Sequence, residues 1–291
     1  MGMVKISIII VTYNSRDLII DCLLSLYKFN DLNKNEIEII IVDNSNETEH
    51  LLLRKLIFDN FNTDPIIIHN PKNGGYGQGN NLGVSIAKGN VICIMNPDVR
   101  LLEPLFVPTL KHFENNKIAS VGYKQITGGL DFSFFQRPEF FVPFYSSIKV
   151  RHLNNKDVFH EKKYYLSGAF VFFRKSDFEV IGKYDERMFM YFEEPDMAKR
   201  INNIGKISIF DSSKKYLHLM EQKDDYNDWL LDVGATSLGI YYSKFNLNLQ
   251  RHLKLIYIEN YLFILIFSII GKKSRVEKSR AVIKSLKKLK S

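Results

Sequence analysis

Val91-Ile92-Cys93-Ile94-Met95-Asn96-Pro97-Asp98 is the stretch on which the fold turns. Five apolar residues in succession read as a strand buried on both faces, the pattern of a central strand in a parallel sheet. The strand stops at an amide, a proline and a carboxylate. Those residue types also make a bare turn. In an open α/β sheet, however, ligands bind beyond the carboxyl ends of the strands. Asp98 is therefore the first candidate for holding a metal ion and, through it, the phosphates of a substrate.

The alternation continues on both sides of this stretch. Residues 4–11 read as a first strand, closed by Thr12-Tyr13-Asn14-Ser15. Ser15 can cap a helix whose apolar positions are Leu18, Ile19, Cys22, Leu23 and Leu26. Residues 36–42 make a second strand ending at Asp43-Asn44-Ser45, and residues 65–69 a short third. The glycines within 74–79 predict an irregular loop of close backbone approach, with a helix over 81–88. This order predicts an α/β protein with one mostly parallel sheet flanked by helices. Beyond Asp98, Pro104 opens a helix carrying Leu105, Leu110 and Phe113, and residues 118–123 and 164–173 read as strands. The Phe- and Pro-rich stretch 128–160 has no clean period. It reads either as a loop packed down by its rings or as a lid or binding wall. Ser176 and Glu179 form a capping box for a short helix. Pro195 suits the first position of a helix capped by Glu194, with Met197, Ile201 and Ile204 facing inward. Residues 206–210 read as a strand, with His218 soon after, and residues 226 to about 267 as helices.

The net charge of +8 over 291 residues is unevenly placed. Residues 272–291 hold nine Lys or Arg against Glu277 alone, whereas residues 1–271 hold thirty-one basic and thirty-one acidic groups. A neutral body does not present the broad basic face of a nucleic-acid binder. The basic tail instead follows the nine-residue run 262–270, a pairing that suits an anionic membrane surface. Nine residues fall short of the roughly twenty needed to span a bilayer. A core-packed helix or a homo-oligomer contact is the alternative. The start, Met1-Gly2-Met3-Val4-Lys5, runs into a strand pattern with no secretory leader, and Cys22 and Cys93 read as buried free thiols in a reducing compartment. The expected location is the cytoplasm, peripheral on the inner face of the cell membrane.

Acids gather at segment ends: Asp43, Asp98, and Glu193-Glu194 with Asp196. Apolar neighbours such as Phe189 and Phe192 can desolvate one of the two glutamates and raise its pKa, which makes a candidate general base. An ordinary acidic helix start is the plainer reading. His218, downstream of these acids, is a candidate metal ligand. The 74–79 loop lacks the Gly-Lys-Ser/Thr of a phosphate loop, and no glycine follows the first strand. Both absences argue against an ATPase and against a dinucleotide cofactor.

Six stretches, Val11-Thr12-Tyr13-Asn14-Ser15, Val42-Asp43-Asn44-Ser45, Asn73-Gly74-Gly75-Tyr76-Gly77 with Asn80-Asn81, Met95-Asn96-Pro97-Asp98, Ser167-Gly168-Ala169 and Phe192-Glu193-Glu194-Pro195-Asp196, occur in an order that resembles the family 2 inverting glycosyltransferases of GT-A fold, in particular their bacterial rhamnosyltransferase-like branch. The resemblance covers roughly residues 4–220. It implies a transferase domain over 1–222 and a helical extension over 223–291. It implies a nucleoside-diphosphate-sugar donor, rhamnose being the commonest expectation for this branch, and a saccharide or lipid-linked saccharide acceptor in bacterial surface polysaccharide synthesis. Thr12, Asn14 and Asp43 would line the nucleotide pocket. Asn73, Gly74, Asn80, Asn96, Gly168 and Asp196 would shape the rest of the substrate site. Asp98, with His218, would hold Mg²⁺ or Mn²⁺. The family's usual Glu-Asp-x-Asp is here Glu193-Glu194-Pro195-Asp196, so Glu194 takes the place of the usual catalytic aspartate, with Glu193 as the other candidate. Two alternatives follow from the same residues. A nucleotidyltransferase would need a basic motif near the N-terminus, where residues 12–20 offer only Arg16. A non-catalytic carbohydrate-binding or scaffolding relative would explain the glutamate departure by a degenerate site.

Overall fold

The central strand is β4 (Val91–Met95), every residue of which is buried. In the computed structural model, which describes residues 3–61, 65–219 and 227–290, β4 lies between β1 (Ile6–Thr12) and β9 (Phe170–Arg174). The remaining strands are β2 (Ile37–Asp43), β3 (Ile66–His69), β5 (Val99–Leu101), β6 (Ile118–Ile126), β7 (Phe134–Gln136), β8 (Tyr164–Leu166) and β10 (Ile207–His218). The eight-stranded sheet runs β3-β2-β1-β4-β9-β6-β10-β5, with β7 and β8 forming a separate pair. Strands β3, β2, β1 and β4 are parallel. β9 runs antiparallel to both β4 and β6, and β5 antiparallel to β10. The sheet is thus mixed, parallel in its N-terminal half.

The helices are α1 (Arg16–Lys28), α2 (Glu47–Asn60), α3 (Gly75–Ile86), α4 (Phe106–His112), α5 (Tyr145–Asn155), α6 (Lys175–Val180), α7 (Glu193–Asn203), α8 (Asp228–Lys244), α9 (Leu249–Ile269) and α10 (Lys273–Lys287). Strand periodicity sorts them into layers. Ile6, Ile8 and Ile10 face Ile19, Cys22 and Leu23 of α1 and Leu53 of α2. Ile9, Ile92 and Ile94 face Val84 of α3, Phe178 of α6 and Met197 and Ile201 of α7. Truncating one of these isoleucines to alanine would cost about 2–5 kcal/mol. A third layer, α8 to α10, has its own cluster of Met188, Leu238, Tyr241, Tyr242, Leu253 and Leu286.

Several sequence expectations need correction. Gly75, Gly77 and Gly79 lie in α3 rather than in an irregular loop. They let the helix press on the sheet: a Cβ at Gly79 would stand 3.0 Å from Val11, and one at Gly83 3.2 Å from Ile9 Cγ1. Residues 164–173 split into two strands that belong to different sheets. Ser176 caps nothing, because α6 begins at Lys175 after Arg174. The N-cap of α7 is Phe192, in a left-handed conformation, rather than Glu194. Ser15 precedes α1 but bonds the Tyr13 carbonyl instead of capping. Residues 128–160 contain β7 and α5, with Phe134 buried against Val150 and Tyr164. The basic segment is helical, α10, packed along α9 with Val276, Ile283 and Leu286 inward. The expected domain boundary at 222 lies outside the described residues.

Candidate active site

Because β1, β2 and β4 are parallel, Thr12, Asp43 and Asp98 all arrive at one edge of the sheet. Antiparallel β9 starts at that edge, and the Asn96 amide donates to the Ala169 carbonyl at 2.8 Å. Pairing of β5 with β10 puts Val99 opposite His218. The Leu219 amide donates to the Asp98 carbonyl. His218 Nε2 thereby comes within 3.2 Å of Asp98 Oδ2. Asp98 Oδ1 and His218 Nδ1 are buried atoms that meet no hydrogen-bond partner among the described residues. A carboxylate and an imidazole with unused lone pairs fit a divalent cation that takes most of its ligands from phosphate and water. Among the described residues no group of three or more His, Cys, Asp or Glu forms a closed cage.

The glutamate pair is set by backbone turns that the sequence does not announce. Tyr191 and Phe192 both have φ of 70°, a conformation uncommon for aromatic residues. Gly75, at φ 90°, lets the Phe189 carbonyl approach, and the Tyr76 amide donates to it at 2.9 Å. A Cβ at Gly75 would stand 2.8 Å from Phe189 Cα. The chain then enters α7 with Glu193 buried and Glu194 half-buried. Glu194 lies directly against Gly168, where an added Cβ would stand 2.9 Å from its Cγ and 3.0 Å from its Cδ. Burial pushes both carboxyls above the usual carboxylate range, and the charge of Glu194 pushes Glu193 further. Glu193 is the deeper member, and its Oε1 has no hydrogen-bond partner among the described residues.

A cavity of about 760 Å³ joins these groups. Asn96, Gly168, Glu193, Glu194 and His218 line one side, and Leu231, Leu238, Ile256 and Leu286 of the third layer line the other. Asp98 reaches it through His218. The cavity also takes Tyr76, Phe135, Tyr165 and Tyr191, which sequence reasoning did not single out. Only the aromatic richness of 128–160 pointed toward Phe135. No local signal marked α8 to α10 as a wall.

Of the other expected site residues, Thr12, Asp43, Asn80 and Asp196 are buried, Asn73 and Gly74 are half-buried and Asn14 is exposed. Asp43 is fully buried, accepting from Thr12 Oγ1 at 3.0 Å and Ser45 Oγ at 2.6 Å, with His50 Nδ1 at 3.1 Å from its other oxygen. His50 stacks on His69, ring centroids 4.1 Å apart. Thr12 and Asp43 thus brace the loop tips and are not among the residues that line this cavity. The Asn14 amide is held by Ser45 Oγ at 2.8 Å. Asn73 Oδ1 faces the Gly75 amide, 3.4 Å away, at the start of α3 beside Gly74. Asn80 is buried in α3, its amide donating to the Tyr76 carbonyl. Asp196, expected at the substrate, is fully buried between Arg200, with Nε at 2.9 Å, and Lys244, with Nζ at 2.7 Å. Two cations occupy it, so its place is to fix α7.

The family model described as glycosyl transferase family 2 matches residues 7–182. An N-acetylglucosaminyl-diphospho-decaprenol L-rhamnosyltransferase of Mycobacterium tuberculosis is 39% identical over 54 residues, which is 19% of this chain and 18% of that protein's length. An uncharacterized glycosyltransferase of Acanthamoeba polyphaga mimivirus is 27% identical over 256 residues, 84% of this chain and 92% of its own. Among solved structures, a mannosyltransferase from Pyrobaculum calidifontis in complex with GDP-Man and Mn²⁺ superposes with a TM-score of 0.59 at 15% identity, over 84% of this chain and 64% of that one. At that identity the likeness speaks to the fold, which is of GT-A type with a helical C-terminal extension.

Proposed function

The chain belongs to glycosyl transferase family 2, and from that premise we propose that it transfers a sugar from a nucleoside-diphosphate-sugar to a hydroxyl of a saccharide or lipid-linked saccharide, inverting the anomeric configuration. The observation that carries this reading is the shared cavity: Glu194 against Gly168, and His218 beside Asp98, open onto the same space.

Glu194 is the general base. It takes the proton of the acceptor hydroxyl as that oxygen bonds to the anomeric carbon. The bond from that carbon to the diphosphate breaks, and its electron pair leaves with the nucleoside diphosphate. Glu193, whose carboxyl is pushed up by burial and by the Glu194 charge, would carry a proton and so add no second charge beside the base. Gly168 gives the Glu194 carboxyl room. The third layer walls the cavity and excludes water from the reacting carbon. Asp98 and His218 would hold Mg²⁺ or Mn²⁺, which when bound would neutralise charge on the departing diphosphate. A single displacement of this kind needs no nucleophile beneath the sugar.

The short match to the mycobacterial enzyme supports L-rhamnose as the first donor to try. The test is transfer from a panel of nucleoside-diphosphate sugars, with the product anomer read by NMR. Asp98→Asn is expected to lower transfer at least a hundredfold. Unchanged transfer in that variant, or a retained anomeric configuration, overturns the reading.

A further inference from the structure

Helix α9 has an apolar face that nothing among the described residues covers. Tyr261, Leu262, Leu265, Ile266 and Ile269 recur at helical spacing and are all exposed, Leu265 at 58% and Ile269 at 77%. Only 17% of the most apolar part of α9 is buried inside the fold. The face does not end with the helix. Phe144 packs edge-on against Phe263 at 5.4 Å, and its amide donates to Glu259 Oε1 at 2.8 Å. This contact sets Val142, Tyr145 and Ile148, the last 68% exposed, beside α9. An apolar patch drawn from two distant segments is larger than scattered surface residues produce.

Charge surrounds the patch on one side. The turn after α9 and the start of α10 expose Lys272, Lys273, Arg275 and Lys278. Among the described residues these four make no ion pair, whereas Lys284 faces Asp228 of α8. Lys149 and Arg151 of α5 add cations at the other segment. Apolar side chains flanked by cations are complementary to acyl chains beneath anionic headgroups. At 21 residues α9 is long enough to cross a bilayer, unlike the nine-residue run read from sequence. It is nonetheless held in the fold: His252, Leu253 and Asn260 are buried, and Glu259 is bonded to the Phe144 amide.

We propose that the exposed face of α9, together with residues 142–148, seats on an anionic lipid surface, with the α9–α10 turn on the headgroups. The inner faces of α9 and α10 line the catalytic cavity, so the same hairpin brings that cavity to the bilayer. The proposal is independent of the sugar-transfer reading.

The full chain is mixed with phosphatidylcholine vesicles, with and without phosphatidylglycerol, and bound protein is measured by flotation. Binding is expected only to the anionic vesicles and is expected to fall steeply with salt. Replacing Lys272, Lys273, Arg275 and Lys278 by Gln is expected to weaken partition by about a hundredfold or more. The double change Leu265→Glu and Ile269→Glu is expected to abolish it. All these side chains are exposed, so circular dichroism and donor turnover with a soluble acceptor should be unchanged. Equal binding to neutral vesicles, or binding indifferent to both sets of changes, overturns the proposal. So does sedimentation showing a dimer that the Leu265/Ile269 variant splits while neither form floats, which would make the face a contact between copies.

Discussion

Glu194 carries one methylene more than the aspartate its family usually places there, and Gly168 is what accommodates it. A side chain at 168 would occupy the space of the Glu194 carboxyl. Gly168→Ala is therefore expected to lower kcat more than it raises the donor KM. Shortening the neighbour, in the double variant Gly168→Ala with Glu194→Asp, should recover part of the loss, a coupling that a double-mutant cycle measures. Glu194→Gln alone should lower kcat by about 10²–10⁴-fold. Glu193→Gln mimics the protonated form and should retain most activity; the reverse order would exchange their roles. Since burial raises the carboxyl that must be ionised, kcat/KM should fall as pH drops through a value above the ordinary carboxylate range. Asp98, the two glutamates and His218 stood out in sequence as candidates because their chemistry stands at segment ends. The burial of Asp43 and Asp196 was not. Their partners, His50 and Lys244, come from α2 and α8, and no local pattern announces them.

Elements were legible where one physical cause dominated. Strands β1, β2 and β4 are apolar on both faces, and no other structure tolerates that pattern as well at five to seven residues. Glycines misled because two causes compete. They destabilise an isolated helix by about 1 kcal/mol each, yet in α3 they allow contact with β1 that larger residues would block. α7 shows the same dependence on distant partners. Lys244 of α8 bridges Asp196 in α7 and Asp185 in the preceding loop, at 2.7 and 2.9 Å. The cations Arg187 and Lys244 hold Asp185 well below the usual carboxylate range. Lys244→Met removes one of two cations from the fully buried Asp196 and should destabilise the fold by about 3 kcal/mol. Urea denaturation measures this. Because α7 also carries Glu193 and Glu194, kcat should fall in the same variant.

At the scale of the molecule, the sheet with its flanking helices and the α8–α10 layer have separate apolar clusters and share the cavity between them. The sequence showed the division as a change from alternating elements to helices, but not that the last layer closes the site, since closure depends on contacts with residues far upstream. This layer also contains an acid-sensitive group. His252 is buried, stacked on Tyr242 at 4.8 Å with Phe141 edge-on at 5.5 Å. Burial pushes it down to about 4, against the opposing pull of the Glu139 charge. In the unfolded chain it titrates near its ordinary value of about 6.5. Above that value both states are neutral and the residue adds no pH dependence. As pH falls from about 6.5 to about 4, the unfolded chain binds a proton that the folded chain refuses, so stability drops, by up to about 3 kcal/mol across the window. Amides of α8 and α9 should therefore lose hydrogen-exchange protection near pH 5 before those of β1 and β4. His252→Gln should flatten the dependence of Tm on pH in that window; an unchanged slope would place the acid sensitivity in another group.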